Sequence, residues 1–163
     1  KEYNWNGILC EPSKGWHKSL KLNRPNAIID HRCVWTESGK KIKFKQCDIN
    51  TLSTIEGFEC LDQYSENRKN SITYSVETVT LTDLLDYHNS PKEIDYLSID
   101  TEGSEYEILK NHNFDKYSFK VITCEHNFAP QRKQIHDLLL AKGYMQKIIR
   151  GDQSDFEDWY VKV

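Results

Sequence analysis

Glycine is sparse and scattered in this chain: the 7 glycines stand at 7, 15, 39, 57, 103, 143 and 151, each far from the next. A loop that cradles phosphate needs two or three glycines within a few residues, so that backbone N–H groups can approach the anion at a helix start. The sequence therefore holds no P-loop and no G-x-G-x-x-G turn, and a nucleotide-like ligand must rely on other features or on an upstream segment. Methionine is scarcer still. Met145 stands alone, so Lys1 reads as lying past a translation start, with an upstream piece missing or removed. The 5 cysteines (10, 33, 47, 60 and 124) include no C-x-x-C pair. Most fall within apolar, strand-like runs, which argues for buried reduced thiols over disulfides or a zinc site. Long apolar runs are missing too: none approaches the ~18 residues of a membrane span, and the first residues do not resemble a secretory signal. Nor is there an excess of positive charge. Lys and Arg number 22 against 25 Asp and Glu, a net charge of −3, which argues against binding nucleic acid by phosphate neutralisation. The expectation is a soluble, cytoplasmic protein with no membrane and no nucleic acid among its partners.

What remains is one domain's worth of chain. At 163 residues with 37% apolar content, a single compact unit with a modest core is the default reading. Residues 5–11 form a short apolar run that ends on Glu11 and Pro12, a buried strand followed by a stop. Ser13 is placed to cap a helix through about Leu22, with Trp16 and Leu20 on one face. Residues 26–35 read as a core strand, and 40–47 as a half-exposed strand with Ile42 and Phe44 inward. No period is evident over 48–70, a long irregular excursion of the kind that forms lids or stays disordered. Residues 72–79 alternate again, and Thr80 opens a short helix with Leu81, Leu84 and Leu85 on one side.

The second half is more regular. Residues 94–100 form a strand that ends on Asp100, and Ser104 to Glu107 has the S-x-x-E form of a capping box opening a helix. Residues 119–124 form a strand followed by Glu125, His126 and Asn127. A helix follows, with Pro130 at its start and Gly143 just past its end, carrying Ile135, Leu138 and Leu139 as its stripe. Tyr144 to Ile149 and Trp159 to Val163, joined by a polar turn, read as a closing pair of strands. Strands separated by helix-length segments imply βαβ units and a largely parallel sheet, and in such sheets ligands bind beyond the carboxyl ends of strands. That rule gathers Glu11, Asp100, Glu102, Glu125 and His126 on one rim.

These residues also carry a likeness. Trp5 to Pro12, then Asp100-Thr101-Glu102-Gly103-Ser104-Glu105 after an apolar strand, then Glu125-His126-Asn127 and a terminal Asp158-Trp159-Tyr160 together resemble the FkbM-type methyltransferases. The likeness spans nearly the whole chain except 48–70, and the D-x-E-G-x-E stretch is its most specific element. It implies an α/β, Rossmann-like class I methyltransferase fold: a mostly parallel sheet with helices on both faces and an antiparallel C-terminal strand pair. The cofactor it implies is S-adenosylmethionine. In that family's order, 5–11 is similar to the second strand, 26–35 to the third, 94–100 to the fourth and 119–124 to the fifth. The first strand and its glycine-rich turn would lie upstream of Lys1, so residues 1–163 read as a single, N-terminally incomplete domain. That strand belongs between the second and fourth, and its absence would leave exposed edges through which copies could associate.

The resemblance places Glu11 against the cofactor's ribose, where one carboxylate can accept from two vicinal hydroxyls; the competing reading is a charged residue that merely ends a buried strand. Val34 and Trp35 follow the third strand, where adenine contacts would fall, although aromatics in strands are more often core. Asp100 is assigned both to the cofactor and to the catalytic set. Methyl transfer from a sulfonium needs alignment and a base, and the candidates are Asp100, Glu102, Glu125 and His126, with His126 favoured because a nearby carboxylate would hold its pKa near ~7. Two further readings stay open: Asp100, Glu102 and His126 gathering a divalent metal, or Glu102 and Glu105 only starting a helix. The expected activity is O-methylation of a sugar or other small molecule. Its rivals are a catalytically inactive domain that acts as a binding module and a metal-dependent hydrolase.

Overall fold

The computed structural model describes residues 5–60, 63–148 and 156–163. Along the chain run β1 (Ile8–Cys10), α1 (Lys14–Asn23), β2 (Ile28–Asp30), β3 (Cys33–Val34), β4 (Lys41–Cys47), β5 (Thr54–Ile55), β6 (Ser71–Val79) and α2 (Leu81–Tyr87). They are followed by β7 (Glu93–Ile99), α3 (Glu105–Lys110), β8 (Ser118–Glu125), α4 (Arg132–Ala141), β9 (Tyr144–Lys147) and β10 (Glu157–Lys162). Among the described residues no helix is long and apolar enough to cross a membrane.

The core is built around β8. Phe119, Ile122, Thr123 and Cys124 are buried almost in succession, the mark of a strand covered on both faces. Leu81 and Leu85 of α2, Ile108 and Leu109 of α3, and Ile135 and Leu139 of α4 close over it at helical spacing. Full burial of each such side chain contributes roughly 1.5–3 kcal/mol. Thr80 caps α2 as its sequence suggests, its hydroxyl accepting from the Asp83 N–H at 3.0 Å. Gly143 ends the α4 segment at φ +80°, a conformation L side chains rarely adopt.

The sheet is mixed, which corrects the expectation of a mostly parallel one. Parallel pairing joins β1 to β2, β3 to β6 and β7 to β8, whereas β4 pairs antiparallel with both β5 and β6, and β10 with both β8 and β9. The closing antiparallel pair, β9 and β10, is as expected; Ile149 and the polar turn lie outside the described residues. The antiparallel excess comes from β4 and β6, whose strands pair across the irregular 48–70 excursion from Lys41 opposite Glu77 to Cys47 opposite Ser71. The single strand expected at 26–35 is instead two, in different sheets. Asp30 accepts from the N–H of Arg32 at 3.0 Å and from its guanidinium at 3.0 and 2.6 Å, and this local turn redirects the chain between β2 and β3. Asp30 is held well below the usual carboxylate range because hydrogen bonds from Arg32 and His88 outweigh its burial. All five cysteines are free; Cys60 is exposed, unlike Cys33, Cys47 and Cys124.

Three sheets result: β1-β2, β3-β6-β4-β5 and β7-β8-β10-β9. Strands β1 and β7 both end up as edges, and both line one apolar slot of about 440 Å³ that also takes in Leu84, Leu85 and Ile108. Ile8 and Ile94 meet at one end of this region and Glu11 and Asp100 at the other, so the two strands run the same way on either side of the slot. The sheet is therefore interrupted where the resemblance expects a further strand.

Unpaired, apolar strand edges invite pairing with another chain. Concentration-dependent self-association is expected from sedimentation velocity. Leu9→Lys, which puts an ammonium into the slot, should shift the distribution toward monomer while circular dichroism stays that of the parent. A monomer at every concentration, before and after the substitution, would show that these edges are covered from within.

Candidate functional site

The carboxyl ends of β1 and β7 open onto a cavity of about 240 Å³, walled by Cys10, Glu11, Pro12, Trp16, Val34 and Asp100 among others. Glu11 follows directly on β1. Its Oε1 accepts the Ser13 N–H at 2.7 Å, which turns the chain into α1. This replaces the expected cap from Ser13, whose own side chain makes no capping bond to the helix. Burial pushes the Glu11 carboxyl up; the Ser13 N–H and the nearby His17 pull it down, and Asp100 pushes it up again. Val34 lines the cavity. Trp35 does not: it packs on the Cys33, Phe44 and Ile55 cluster and meets Phe58 edge-on at 5.6 Å. Trp35, expected with Val34 to meet an adenine, is turned by its strand the other way from Val34 and away from this cavity.

Across the cavity, Asp100, Glu102 and Glu125 bring carboxylate oxygens within 4.8 Å of one another. The turn from β7 into α3 places them. Glu102 adopts φ +57° and Gly103 φ +117°, and a non-glycine residue held in the left-handed region needs its surroundings to keep it there. Glu105 supplies part of that hold by folding back: its Oε1 accepts from the Thr101 N–H at 2.7 Å, the Thr101 hydroxyl at 2.8 Å and the Gly103 N–H at 3.1 Å. The expected capping box is corrected accordingly. Ser104 gives its hydroxyl to Thr101 Oγ1 rather than to the helix, and Glu105, not Glu107, anchors the turn.

The rest of the hold comes from the irregular excursion. Thr54 donates its hydroxyl to the Glu102 carbonyl at 3.0 Å. Arg68, 3% exposed, donates through Nη2 to Glu102 Oε2 at 2.6 Å and through Nε to the Leu52 carbonyl at 2.9 Å. Sequence reasoning missed Arg68. The available signal was an arginine within a polar loop opposite a rim of acids, too common a pattern to single out. The arrangement has an electrostatic logic, since three crowded carboxylates would repel one another without a cation beside them. Glu125 answers the crowding differently: burial first, then the charges of Asp100 and Glu102, push its carboxyl up to about 10, so that it keeps its proton at neutral pH.

His126 lies at the carboxyl end of β8 as expected, but not beside Asp100 in the cavity. It is 3% exposed, its Nδ1 accepts the Phe128 N–H at 3.0 Å, and its Nε2 lies 3.7 Å from Asp158. Burial lowers its pKa more than Asp158 raises it, the reverse of the sequence expectation. Asp158 itself is clamped by Arg132 at 2.8 and 2.9 Å and by Gln146 at 2.8 Å, so the terminal D-W-Y stretch fastens β10 to α4 and β9. The three-residue cluster able to hold a cation is Asp100, Glu102 and Glu125, with Glu125 in the place that His126 was expected to take. His112 is a buried core group, bonded to Thr82 Oγ1 at 3.1 Å and the Tyr117 carbonyl at 3.2 Å.

With this geometry in place, comparison with known families gives one match: residues 1–160 fit the family described as methyltransferase FkbM domain. No curated protein and no solved structure matches the chain.

Two outcomes follow from the carboxylate cluster. Removing one partner of a buried ion pair leaves the other charge uncompensated, so Arg68→Ala should cost about 3–5 kcal/mol in urea unfolding. The pair Arg68→Met with Glu102→Leu should recover most of that; an Arg68→Ala loss under ~1 kcal/mol would mean that the ion pair does not hold the turn. Glu125 sets a sign. Its folded carboxyl keeps the proton above the unfolded value of 4.5, so folding takes up a proton and stability falls as pH rises from there until the folded group ionises. Relative to Glu125→Gln, which cannot titrate, the parent should lose up to ~1.4 kcal/mol per pH unit between about pH 5.5 and 8. Parallel stability curves for the two proteins would show that Glu125 is ionised when folded.

Proposed function

The chain belongs to the FkbM methyltransferase domain family, and from that premise we propose that it is an S-adenosylmethionine-dependent O-methyltransferase acting on a hydroxyl of a sugar or other small molecule. The observation that carries the reading is the acid-rich cavity at the carboxyl ends of β1 and β7. S-adenosylmethionine bears a sulfonium and an ammonium, and a cavity walled by Glu11, Asp100 and Glu102 favours a cation over an anion. Its donor set suits the rest of the molecule as well. Glu11 uses Oε1 for Ser13 and turns Oε2 to the cavity, where it would hold the ribose hydroxyls; Val34, Pro12 and Trp16 offer apolar walls to the purine. When bound, the cofactor supplies a methyl group on a good leaving group.

The chain's own part is then positioning and proton transfer. Asp100 is the exposed member of the cluster and Glu125 the half-buried member behind it. Asp100 accepts the proton of the acceptor hydroxyl, with Glu125, pushed up by burial and the neighbouring acids, behind it. Glu102, fixed by Arg68, orients in this scheme. His126 is left with a supporting role, since its Nε2 points toward Asp158 and away from the acceptor's side of the rim.

Calorimetry with S-adenosylhomocysteine tests the reading. Glu11→Gln keeps the shape but weakens charge-assisted hydrogen bonds, so affinity should fall about 10- to 150-fold, or roughly 1.5–3 kcal/mol. Equal affinity in a folded variant would remove Glu11 from the ribose. No binding by the parent chain at all would favour the binding-module alternative, and a methyl-transfer rate that rises on adding magnesium or manganese would move the role of the three carboxylates to metal binding.

A further inference from the structure

We propose that the groove between α1 and β2 binds a small polyphosphate, an anion carrying two or more phosphate groups. The inference does not rest on the methyl-transfer reading. The groove has a volume of about 510 Å³, and His17, Lys18, Lys21, Arg24, Ile29 and His31 are among the residues that line it. None of its lining residues is a carboxylate. In a chain with three more acids than bases this is a local inversion of charge.

The two elements produce the inversion by their periodicities. On α1, positions 17, 18 and 21 share a face that Arg24, the residue just past its end, continues, and at 1.5 Å per residue Lys18 and Arg24 stand about 9 Å apart along the axis. On the strand side, residues 29 and 31 point into the groove and Asp30 points away, because successive side chains alternate. Asp30, the one acid close in sequence, is thereby sent to the opposite face, where Arg32 and His88 occupy it at 2.6 and 2.9 Å. Lys18 and Lys21 make no ion pair among the described residues. Several exposed lysines elsewhere do, among them Lys40 with Glu37, Lys69 with Glu66, Lys116 with Asp86, Lys120 with Asp95 and Lys133 with Asp137.

A cation in the last turn of a helix is favoured by the helix dipole, and that accounts for Lys21 and Arg24. It does not account for Lys18 in the helix middle or for His31 across the groove. The imidazoles make the case sharper. His17 and His31 stack at 3.7 Å with their planes 19° apart, and burial together with the neighbouring His17 lowers the pKa of His31. An anion seated beside them can accept hydrogen bonds from ring N–H groups of the stacked pair. The His17 Nε2–H donates to the Glu11 carbonyl at 2.9 Å, so the ring cannot swing away from the groove without breaking a bond to the neighbouring cavity's acid.

A short, recessed cluster fits a compact anion. Three exposed cations within about 9 Å match a di- or triphosphate, whereas a nucleic-acid surface draws on phosphate contacts spread over many nucleotides. Isothermal titration of the whole chain with inorganic tripolyphosphate provides the test. A dissociation constant below about 0.1 mM at ~50 mM salt is expected, with at least a several-fold loss at ~200 mM salt. Lys18→Gln with Lys21→Gln should weaken binding about 10-fold or more, and Lys133→Gln, on α4, should leave it unchanged. The imidazole signals of His17 and His31 should move on titration and those of His112 should not. No heat and no shift at about 5 mM tripolyphosphate would overturn the proposal, as would an equal loss in the Lys133→Gln control. Tighter binding to a single-stranded oligonucleotide or to phosphatidylserine vesicles than to tripolyphosphate would overturn it too, by showing the surface to be built for a macromolecule or a membrane.

Discussion

Four carboxylates, those of Asp100, Glu102, Glu105 and Glu125, crowd the carboxyl ends of β7 and β8, and the structure of the site depends on how that crowding is neutralised. Each acid has a different answer. Glu105 is stabilised by donors from the turn it stands beside, Glu102 by the buried guanidinium of Arg68, and Glu125 by keeping its proton. Asp100 remains facing solvent. The neutralisation is therefore graded from the core outward, and it leaves one exposed carboxylate at the surface of the cavity with the raised Glu125 behind it. A pair whose environments set its members apart in this way is the usual basis of acid and base roles in one site.

Arg68 also explains why the long excursion is ordered at all. Loops of this length in compact domains are held only where something in them pairs with the scaffold. Here Arg68 reaches Glu102 and the Leu52 carbonyl, Thr54 reaches the Glu102 carbonyl, and Lys45 with Glu59 ties the excursion to β4. The loop and the turn support each other: without the loop the left-handed Glu102 loses its hold, and without Glu102 the buried arginine loses its counter-charge.

Elements whose pattern is local were legible in the sequence. α2 with its Thr80 cap and its leucine stripe, β7, β8 and the closing β9-β10 pair all follow from periodicity and punctuation. What was not legible depends on partners distant in sequence. The break between β2 and β3 comes from Asp30 gripping Arg32, and the pairing of β4 with β6 joins segments about thirty residues apart, a choice that strand propensity cannot see. The rim of acids was readable because the carboxyl-end rule needs only strand ends. The direction of His126 was not, because its side chain answers to Asp158, more than thirty residues on and beside a segment with no period of its own.

The cavity and the apolar slot share walls. Cys10, Glu11, Val34, Asp100 and Thr101 line both, so the edges of β1 and β7 set the distance between Glu11 and Asp100. A strand seated in the slot would hydrogen-bond to both edges and fix that distance through the regular spacing of a sheet, about 4.8 Å per strand. Without such pairing no ladder joins β1 to β7 directly, and their approach rests in part on side-chain packing: Ile8 and Leu97 against the core, and Trp5 edge-on to Tyr96 at 5.9 Å. Packing of this kind tolerates sliding that a hydrogen-bonded ladder does not, and a site that must hold reacting atoms in line is sensitive to shifts of an ångström. Occupancy of the slot and geometry at the cavity are thus one mechanical problem, and anything that pairs with β1 and β7 acts on the spacing of Glu11 and Asp100 without touching either side chain.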